Sequence, residues 1–369
     1  MSQPLSSLSI KGYRSIGDLK ELPLTKLNVL VGANGAGKSN FVDFFRLLRA
    51  MYERGLATFV RDAGGADTLF FDGPKITPEI SAHLKFGQNE YQFSLKSEVN
   101  GVVSVISEGA LWTGAGGWSN YSGAVGESRL QSWLNTGGLN AQLGKKHYVA
   151  KAVSSWMVYH FHDTSKSAPM RRKHAATNYR ELQPDAGNIA PFLGHMRDNH
   201  PLNYRRICDT VRQVAPFFED FQIEMEKEGE NTVTRLEWRQ RGSSYPFQPW
   251  QLSDGTIRFI CLTTALLQPK PPSTILIDEP ELGLHPFALE MLAGLVQEMS
   301  ERTQVIVSTQ SPVLLNHFNV ENVIVVDRAE GASRFQRLDA QALEVWLEDY
   351  AVGELLQKNV IEASPRYEP

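Results

Sequence analysis

The pattern of apolar and polar residues predicts strands near both ends of the chain, with helices between them. Residues 26–31 form a short apolar run that stops at a glycine, as a buried strand does. In residues 40–54 apolar side chains recur every three or four positions, which predicts an amphipathic helix. Residues 8–13 alternate weakly and are interpreted as an edge strand. Residues 79–95 alternate in the manner of an antiparallel meander, and residues 232–239 are again strand-like.

The C-terminal third alternates buried strands with helices. Strands are predicted at residues 273–277, 304–308 and 323–327, and helices at 259–267, 287–299 and 340–357. Such alternation indicates a mostly parallel sheet flanked by helices, which the N-terminal strand joins across a large insertion. The predicted fold class is therefore α/β, with a mostly parallel sheet, an antiparallel β subdomain and a mixed helical insertion.

Composition excludes several classes of protein. The chain has 369 residues, 42% of them hydrophobic, and a net charge of −4, which argues against disorder. Its two cysteines, Cys208 and Cys261, are far apart, so a disulfide scaffold is excluded and both are expected in the core. No apolar run is long enough to span a membrane, and the start of the chain does not resemble a secretory signal. We expect a cytoplasmic protein that makes no contact with a membrane.

Positive charge is concentrated in the middle of the chain. Residues 140–214 hold twelve lysines and arginines against five acidic residues, and they include six of the nine histidines. This asymmetry is typical of a surface that binds a polyanion, and equally of an ordinary solvated helical face. Both interpretations stay open. His160, His162 and Asp163 could form a metal cluster, but a polar strand face is favoured because alternate strand residues point to opposite sides.

The strongest motif follows the first buried strand and reads GANGAGKS, which matches the phosphate-binding pattern G-x-x-x-x-G-K-[ST] without a mismatch. Glycines let backbone N–H groups curl around phosphate oxygens, and the helix that follows adds its positive N-terminal end. Lys38 is expected to reach the β- and γ-phosphates and Ser39 to coordinate Mg²⁺. The predicted nucleotide-binding residues are Gly32, Ala33, Asn34, Gly35, Ala36, Gly37, Lys38, Ser39 and Asn40.

A second motif ends a buried strand with an acidic pair, Asp278 and Glu279. Ligands of open α/β sheets bind at the carboxyl ends of strands. We expect Asp278 to hold the Mg²⁺ and Glu279 to act as general base toward the attacking water. A polar turn after an ordinary strand is the alternative, and the phosphate loop earlier in the chain weakens it.

A third motif, LSDGT at residues 252–256, precedes a predicted helix. Alone it is a helix N-cap pattern, but it lies shortly before the acidic strand. It resembles the signature motif of ATP-binding-cassette ATPases in the form found in the RecF, SMC and OLD-like branch. The chain as a whole resembles a standalone P-loop ATPase of that branch, the kind described in bacteria as an AAA-family ATPase.

Further segments carry the same resemblance. IKGYRSI around Arg14 is similar to the opening strand of that branch, and ELGLHP at residues 281–286 is similar to the segment after its catalytic acid. Gln310 lies where the branch has its switch residue, often a histidine. Glutamine can hydrogen-bond a γ-phosphate but cannot become cationic, so slow or conditionally triggered turnover is expected. Arg14 is a candidate contact to the nucleotide, or equally a surface salt bridge.

The resemblance implies domain limits. Residues 1–85 and 246–330 are expected to form the two parts of an ATPase head. Residues 86–245 are expected to form the β meander and the basic helical insertion, and 331–369 a tail helix. Only about 40 residues follow Val326, too few for the Toprim domain of OLD-type nucleases.

The resemblance also implies a mechanism in which two heads enclose two ATP molecules as a homodimer. Lys38, Ser39, Asp278 and Glu279 of one subunit would act with Ser253 and Gly255 of the other, and the catalytic set would be Glu279, Lys38 and Gln310. The expected role is an ATP-driven switch in DNA surveillance, in phage defence with a separately encoded effector. A DNA-repair ATPase, or an ATP-gated scaffold without nucleic-acid contact, are the alternatives.

Overall fold

The computed structural model describes residues 3–114, 117–135 and 144–361, which form two compact units. The first unit comprises the described residues up to Val158, residues 272–276, and the described residues from Thr303 onward. The second unit comprises residues 159–271 and 277–302. The chain therefore leaves the first unit twice and returns to it twice.

The strands are short and occur along the whole chain. In chain order they are β1 (Ser7–Tyr13), β2 (Ile16–Pro23), β3 (Leu27–Val31), β4 (Glu79–Phe86), β5 (Asn89–Ser97), β6 (Val103–Trp112), β7 (Ser119–Val125), β8 (Trp156–Tyr159), β9 (His174–Ala175), β10 (Phe218–Gln222), β11 (Met225–Glu228), β12 (Asn231–Thr234), β13 (Glu237–Gln240), β14 (Pro246–Phe247), β15 (Thr274–Asp278), β16 (Gln304–Thr309), β17 (Val323–Ala329) and β18 (Ala332–Arg337).

The α-helices vary from one turn to four. They are α1 (Lys38–Glu53), α2 (Leu56–Asp62), α3 (Ala66–Leu69), α4 (Leu130–Asn135), α5 (Lys145–Ser154), α6 (Ile189–Asn199), α7 (Pro201–Val214), α8 (Asp254–Leu267), α9 (Pro286–Ser300), α10 (Pro312–Leu315), α11 (Glu344–Leu347) and α12 (Val352–Gln357). Short 3₁₀ helices lie at Pro169–Arg171, Pro249–Gln251, Val320–Asn322 and Gln341–Leu343. Within the described residues, no helix is both long and apolar enough to cross a membrane.

Strands from both ends of the chain share one mixed sheet, in the order β18-β17-β3-β16-β15-β8. β3 lies between β16 and β17 and runs parallel to both, so the N-terminal strand joins the C-terminal ones as the sequence predicts. All residues of β3, β15 and β16 are buried, as is typical of strands covered on both faces. The predicted α/β fold class is confirmed.

A second sheet of the first unit is antiparallel, in the order β2-β1-β4-β5-β6-β7. The meander predicted for residues 79–95 is confirmed, because β4 pairs with β5 and its residues are alternately buried. The prediction that residues 8–13 form an edge strand is wrong. β1 pairs with β2 on one side and with β4 on the other, so both of its backbone edges are hydrogen-bonded.

Two predicted elements are divided in the structure. The strand expected around residues 232–239 is two strands: β12 pairs with β11 and β9, whereas β13 pairs with β10 and β14. The helix expected over residues 340–357 is a 3₁₀ turn followed by α11 and α12. Ala351 is extended, with φ −73° and ψ 159°, so the helical hydrogen bonds cannot continue through it. Residues 362–369 of the predicted tail lie outside the described residues.

An aromatic cluster fixes the helix that follows the phosphate loop. Phe41, Phe44 and Phe45 of α1 are fully buried. The Phe44 ring stacks on Phe93 of β5 at 6.2 Å between ring centroids, and Phe45 packs on Trp156 of β8 at 5.2 Å. Burial of each large apolar side chain stabilises the fold by roughly 1.5–3 kcal/mol. The helix that begins at Lys38 is therefore held rigidly in the first unit.

Candidate functional site

The phosphate-binding motif forms the turn between β3 and α1, as the sequence predicts. Gly35 and Gly37 have φ values of +79° and +112°, a backbone region that favours glycine. A side chain at Gly32 could not be accommodated, because its Cβ would lie 2.0 Å from the carbonyl oxygen of Val326. Asn34, Gly35 and Ser39 are exposed on this loop.

Lys38 is the buried cation of this loop. Its residue exposure is only 4%, and its Nζ donates hydrogen bonds to the carbonyl oxygens of Gly32, at 2.7 Å, and Ala33, at 3.0 Å. A buried ammonium group needs such partners because its loss of hydration is expensive. A phosphate that entered the loop would offer Nζ a charged acceptor and a stronger hydrogen bond.

A small network of polar side chains packs against the phosphate loop. Ser333 Oγ, on β18, donates to the Ala36 carbonyl oxygen at 2.6 Å and lies 2.7 Å from Ser15 Oγ. Asn40 Nδ2 donates to Ser15 Oγ at 2.7 Å. A Cβ at Gly37 would lie 2.0 Å from Ser333 Oγ, so the loop and the network are in close contact. Neither serine was predicted from the sequence: Ser15 lies in the IKGYRSI segment but carries no role there, and the position of Ser333 carries no motif.

Arg14 lies in the turn between β1 and β2, with a left-handed φ of +49°. Its Nη2 is 2.6 Å from Asp43 Oδ2 on α1, to which the Tyr13 hydroxyl also donates at 2.9 Å. Burial and the adjacent Asp43 carboxylate raise the pKa of Tyr13 well above its usual value. Arg14 Nε is buried and has no hydrogen-bond partner within the described residues. The salt-bridge interpretation of Arg14 therefore describes this structure.

A cleft of about 270 Å³ adjoins this arginine in the first unit. It is polar, and a ligand in it could contact both Asn40, in the first turn of α1, and the β1–β2 turn. Its lining includes Arg14, Ser15, Asn40, Phe70, Asp72 and Arg328. Guanidinium, amide and carboxylate groups beside aromatic rings are suited to a ribose or a nucleobase.

Gln310 follows the last residue of β16. In the parallel pairing of β16 with β3, Thr309 is opposite Val31, so Gln310 and Gly32 leave adjacent strands at the same edge. Thr309 Oγ1 accepts a hydrogen bond from the Ser311 backbone N–H at 3.0 Å, which fixes the turn after the strand. The structure thus brings the proposed switch residue next to the start of the phosphate loop.

The acidic pair ends β15, and both residues belong to the second unit. Asp278 is 6% exposed, and its Oδ1 is buried without a hydrogen-bond partner among the described residues. An unsatisfied buried carboxylate oxygen is unfavourable by about 1–3 kcal/mol or more, and a divalent cation would satisfy it. Asp278 therefore fits the role of a Mg²⁺ ligand.

Glu279 has a left-handed φ of +44°, rare for a residue with a side chain and typical of strained functional positions. One contact holds the backbone beside it: His162 Nε2 lies 3.0 Å from the carbonyl oxygen of Asp278. The interpretation of His160 and His162 as a strand face is wrong, because β8 ends at Tyr159. Within the described residues no cluster of three metal-binding side chains occurs.

The LSDGT motif caps helix α8 in the second unit. Ser253 is exposed, and its Oγ accepts a hydrogen bond from the Thr256 backbone N–H at 3.1 Å. A Cβ at Gly255 would lie 2.3 Å from the carbonyl oxygen of Gly283. Glycine is therefore required where the motif meets the loop that follows the acidic pair.

Arg258, one turn into α8, connects three segments of the second unit. Its guanidinium donates to the carbonyl oxygens of Phe161, at 2.8 Å, His162, at 3.1 Å, and Leu282. Burial lowers its pKa from the usual arginine value. The role of Arg258 could not be predicted from the sequence, because nothing around an arginine within a helix indicates which distant carbonyl groups it will contact.

The basic segment is more neutral than its composition suggests. Five of its twelve cations form ion pairs: Arg171 with Asp254, Lys173 with Glu226 and Glu228, Arg197 with Asp198, Arg206 with Glu298, and Arg212 with Asp209. Arg171 is only 4% exposed. The patch available to a polyanion is therefore smaller than the sequence predicts.

A family model described as "AAA domain, putative AbiEii toxin, Type IV TA system" matches residues 27–316. No curated protein sequence matches significantly. The Smc head domain of Pyrococcus furiosus with an extended coiled coil, bound to the C-terminal domain of ScpA, is similar in structure, with a TM-score of 0.58. It is 16% identical, and the match covers 94% of this chain and 99% of that one.

A second solved structure, an SmcHead bound to the C-winged helix domain of ScpA, has a TM-score of 0.56 and 17% identity. The match covers 92% of this chain and 99% of that one. At such identities the likeness shows the fold alone. That fold is the ABC-type P-loop ATPase head of the SMC kind, and it agrees with the mixed sheet and phosphate loop described above.

Proposed function

Because the chain belongs to the family described as "AAA domain, putative AbiEii toxin, Type IV TA system", we propose that it binds and hydrolyses ATP. The observation that carries this proposal is the geometry of residues 32–39. There a glycine turn, a buried lysine and the start of a rigid helix converge, as phosphate binding requires.

Each residue has a role in the proposed reaction. Lys38 Nζ exchanges its carbonyl partners for the β- and γ-phosphate oxygens and offsets their charge as the bond to ADP breaks. Glu279 accepts the proton of the water that attacks the γ-phosphorus, and Gln310 hydrogen-bonds that water or the phosphate. Ser39 and Asp278 would hold Mg²⁺, which supplies further neutralisation of phosphate charge when it is bound.

We also propose that ATP joins two copies of the chain. Ser253 and Asp254 are exposed at the N-terminus of α8, where a phosphate of the partner's nucleotide would be stabilised. Ser253 and Gly255 of one copy would then complete the site formed by the motifs of the other. The dimer would form on ATP binding and separate after hydrolysis.

The proposed role is a cytoplasmic switch in DNA surveillance, acting in phage defence through a separately encoded effector. The family description, which names an AbiEii toxin, supports a role in defence. The similar SMC heads were solved with a domain of ScpA bound, which supports the idea of a protein partner. A DNA-repair ATPase is the second candidate. A scaffold without nucleic-acid contact is the third, and the ion pairs within the basic segment favour it.

Steady-state ATP hydrolysis, with and without duplex or single-stranded DNA at low salt, tests this proposal. Lys38→Ala should abolish turnover, whereas Lys20→Ala, at a side chain 80% exposed, should leave it unchanged. Stimulation by DNA that weakens as salt rises would support surveillance or repair. Turnover that no DNA alters would favour the scaffold, and turnover that survives Lys38→Ala would contradict the ATPase assignment.

A further inference from the structure

Arg171 is a buried arginine in the second unit that the proposed reaction does not use. It ends the 3₁₀ helix Pro169–Arg171, and its side chain is only 3% exposed. The guanidinium makes four hydrogen bonds. Nε donates to the Thr164 carbonyl oxygen at 2.9 Å, Nη1 to the carbonyl oxygens of Pro249 and Leu252, and Nη2 to Asp254 Oδ1 at 2.9 Å.

Three of these acceptors surround a single residue of the candidate site. Pro249 and Leu252 precede Ser253, and Asp254 follows it. One planar guanidinium therefore fixes the backbone before Ser253 and the side chain after it. Ser253 itself makes no hydrogen bond to Arg171; its Oγ caps α8 through Thr256. Arg171 therefore fixes the orientation of the turn that exposes Ser253, without contacting the Ser253 side chain.

The chemistry of this contact is specific to arginine. A guanidinium presents five N–H donors in a fixed plane and cannot lose its charge, so it can bind several carbonyl groups at once. Lysine would bring one charged centre with three donors and could satisfy only part of the set. The unfavourable desolvation of this buried charge offsets much of what its hydrogen bonds contribute, although truncating the side chain would leave its buried acceptors without a donor. The planar set of contacts around one turn points to a role in geometry.

We propose that Arg171 is a positioning residue for Ser253 and Gly255, and so acts on the nucleotide bound by the other copy of the chain. This inference rests on the proposed ATP dimer. In that dimer the LSDGT turn of one subunit completes the site whose phosphate loop and acidic pair belong to the partner. Arg171 thus serves the partner's site and not the phosphate loop of its own chain.

Arg171→Gln and Arg171→Lys test the proposal. We expect Arg171→Gln to lower turnover at saturating ATP at least tenfold, with the affinity of the chain for ATP changed less than twofold. Arg171→Lys should recover part of the loss. Arg206→Gln is the matched control, because Arg206 also forms an ion pair in the second unit, with Glu298, but its side chain is half exposed. This substitution should leave turnover unchanged. An ATP affinity that falls as far as turnover does, together with a lower melting temperature, would indicate a general folding defect and contradict the proposal.

A mixing experiment separates action on the partner's site from action on the chain's own site. Alone, Lys38→Ala chains are expected to be inactive, and Arg171→Gln chains to keep at most a tenth of wild-type turnover. In a mixed dimer, one site combines the intact phosphate loop and acidic pair of the Arg171→Gln chain with the intact LSDGT turn of the Lys38→Ala chain. Mixing equal amounts should therefore restore roughly a quarter of wild-type turnover, since half of randomly paired dimers are mixed and hold one good site.

A second mixture identifies which proposal has failed if no activity returns. Lys38→Ala chains mixed with Ser253→Ala chains, which lose only the hydroxyl proposed to contact the partner's nucleotide, should regain activity by the same geometry, whatever Arg171 does. If this mixture recovers and the Arg171→Gln mixture does not, Arg171 acts within its own chain and the inference is wrong. If neither mixture recovers, the ATP dimer itself is wrong and the inference falls with it.

Discussion

At the scale of single residues, the phosphate loop was predictable and its supports were not. The glycines, Lys38 and Ser39 form a contiguous motif whose backbone requirements can be recognised from sequence alone. Ser333 and Arg171 act through contacts with residues 297 and 83 positions away, to Ala36 and Asp254. Such contacts depend on how distant segments pack, and neither residue type indicates them. The sequence alone likewise could not decide whether Arg14 forms a salt bridge or contacts a ligand, because its partner, Asp43, lies on another element.

Gly255→Ala tests the close contact within the second unit. The added Cβ would lie 2.3 Å from the Gly283 carbonyl oxygen, so the helix or the loop must shift. We expect a loss of about 1–3 kcal/mol in the free energy of unfolding, with lower ATP turnover. Gly294→Ala is the control: nothing lies within 4 Å of its added Cβ. Helix propensity should raise its stability by up to about 1 kcal/mol in urea titrations. Equal stability of the two variants would contradict the close contact.

The cysteines give a second prediction at this scale. Burial and the adjacent Asp220 raise the pKa of the Cys208 thiol to about 12, and burial raises that of Cys261. Neither should react with a thiol reagent at pH 8 until the chain unfolds. Because the folded state holds these protons more tightly than the unfolded chain, their contribution to stability is complete below the ordinary thiol pKa. It is lost as pH rises toward 12. Rapid reaction of the native protein would be the contrary result.

At the scale of elements, periodicity located most strands and helices but not their neighbours. The apolar run of β3 predicts a buried strand, and apolar residues every three or four positions predict the helix α1. Each pattern lies within a single element and needs no information about its neighbours. The edge position expected for β1 and the continuous helix expected at the C-terminus failed. Strand pairing and a single extended residue, Ala351, are tertiary features that a local pattern does not contain. Secondary structure is thus predicted best where the residues of one element are sufficient to specify it.

Ser333→Ala tests the support that β18 gives to the phosphate loop. The substitution removes the hydroxyl that donates to the Ala36 carbonyl and meets Ser15. The lost hydrogen bond is worth about 0.5–1.5 kcal/mol, so ATP affinity should fall several-fold. Ser122→Ala, at an exposed position on β7, is the control and should leave ATP affinity unchanged. An unaltered affinity in Ser333→Ala, measured by calorimetry, would mean that the loop keeps its shape without this contact.

At the scale of the whole molecule, total charge and segment charge were poor guides to a partner. Lys173 and Arg206 of the basic segment pair with Glu226, Glu228 and Glu298, which lie outside it. A charge count along the chain cannot register such pairing. The set of motifs is a better basis for a proposal, because the phosphate loop, the acidic pair and the LSDGT turn all have roles in the proposed ATP dimer. That proposal requires a second copy of the chain.

Glu279→Gln tests that requirement. The amide cannot accept the proton of the attacking water, so turnover should fall by a factor of roughly 10² to 10⁴ while ATP still binds. The uncleaved nucleotide should then hold two chains together, which light scattering would record as a doubled mass that depends on ATP and Mg²⁺. Glu290→Gln, at an exposed position of α9, should retain full turnover and release its dimer. Adding Ser253→Arg to Glu279→Gln should keep the chain monomeric with ATP bound. A Glu279→Gln chain that binds ATP but stays a monomer would exclude the shared site, and the exposed N-terminus of α8 would then need another partner.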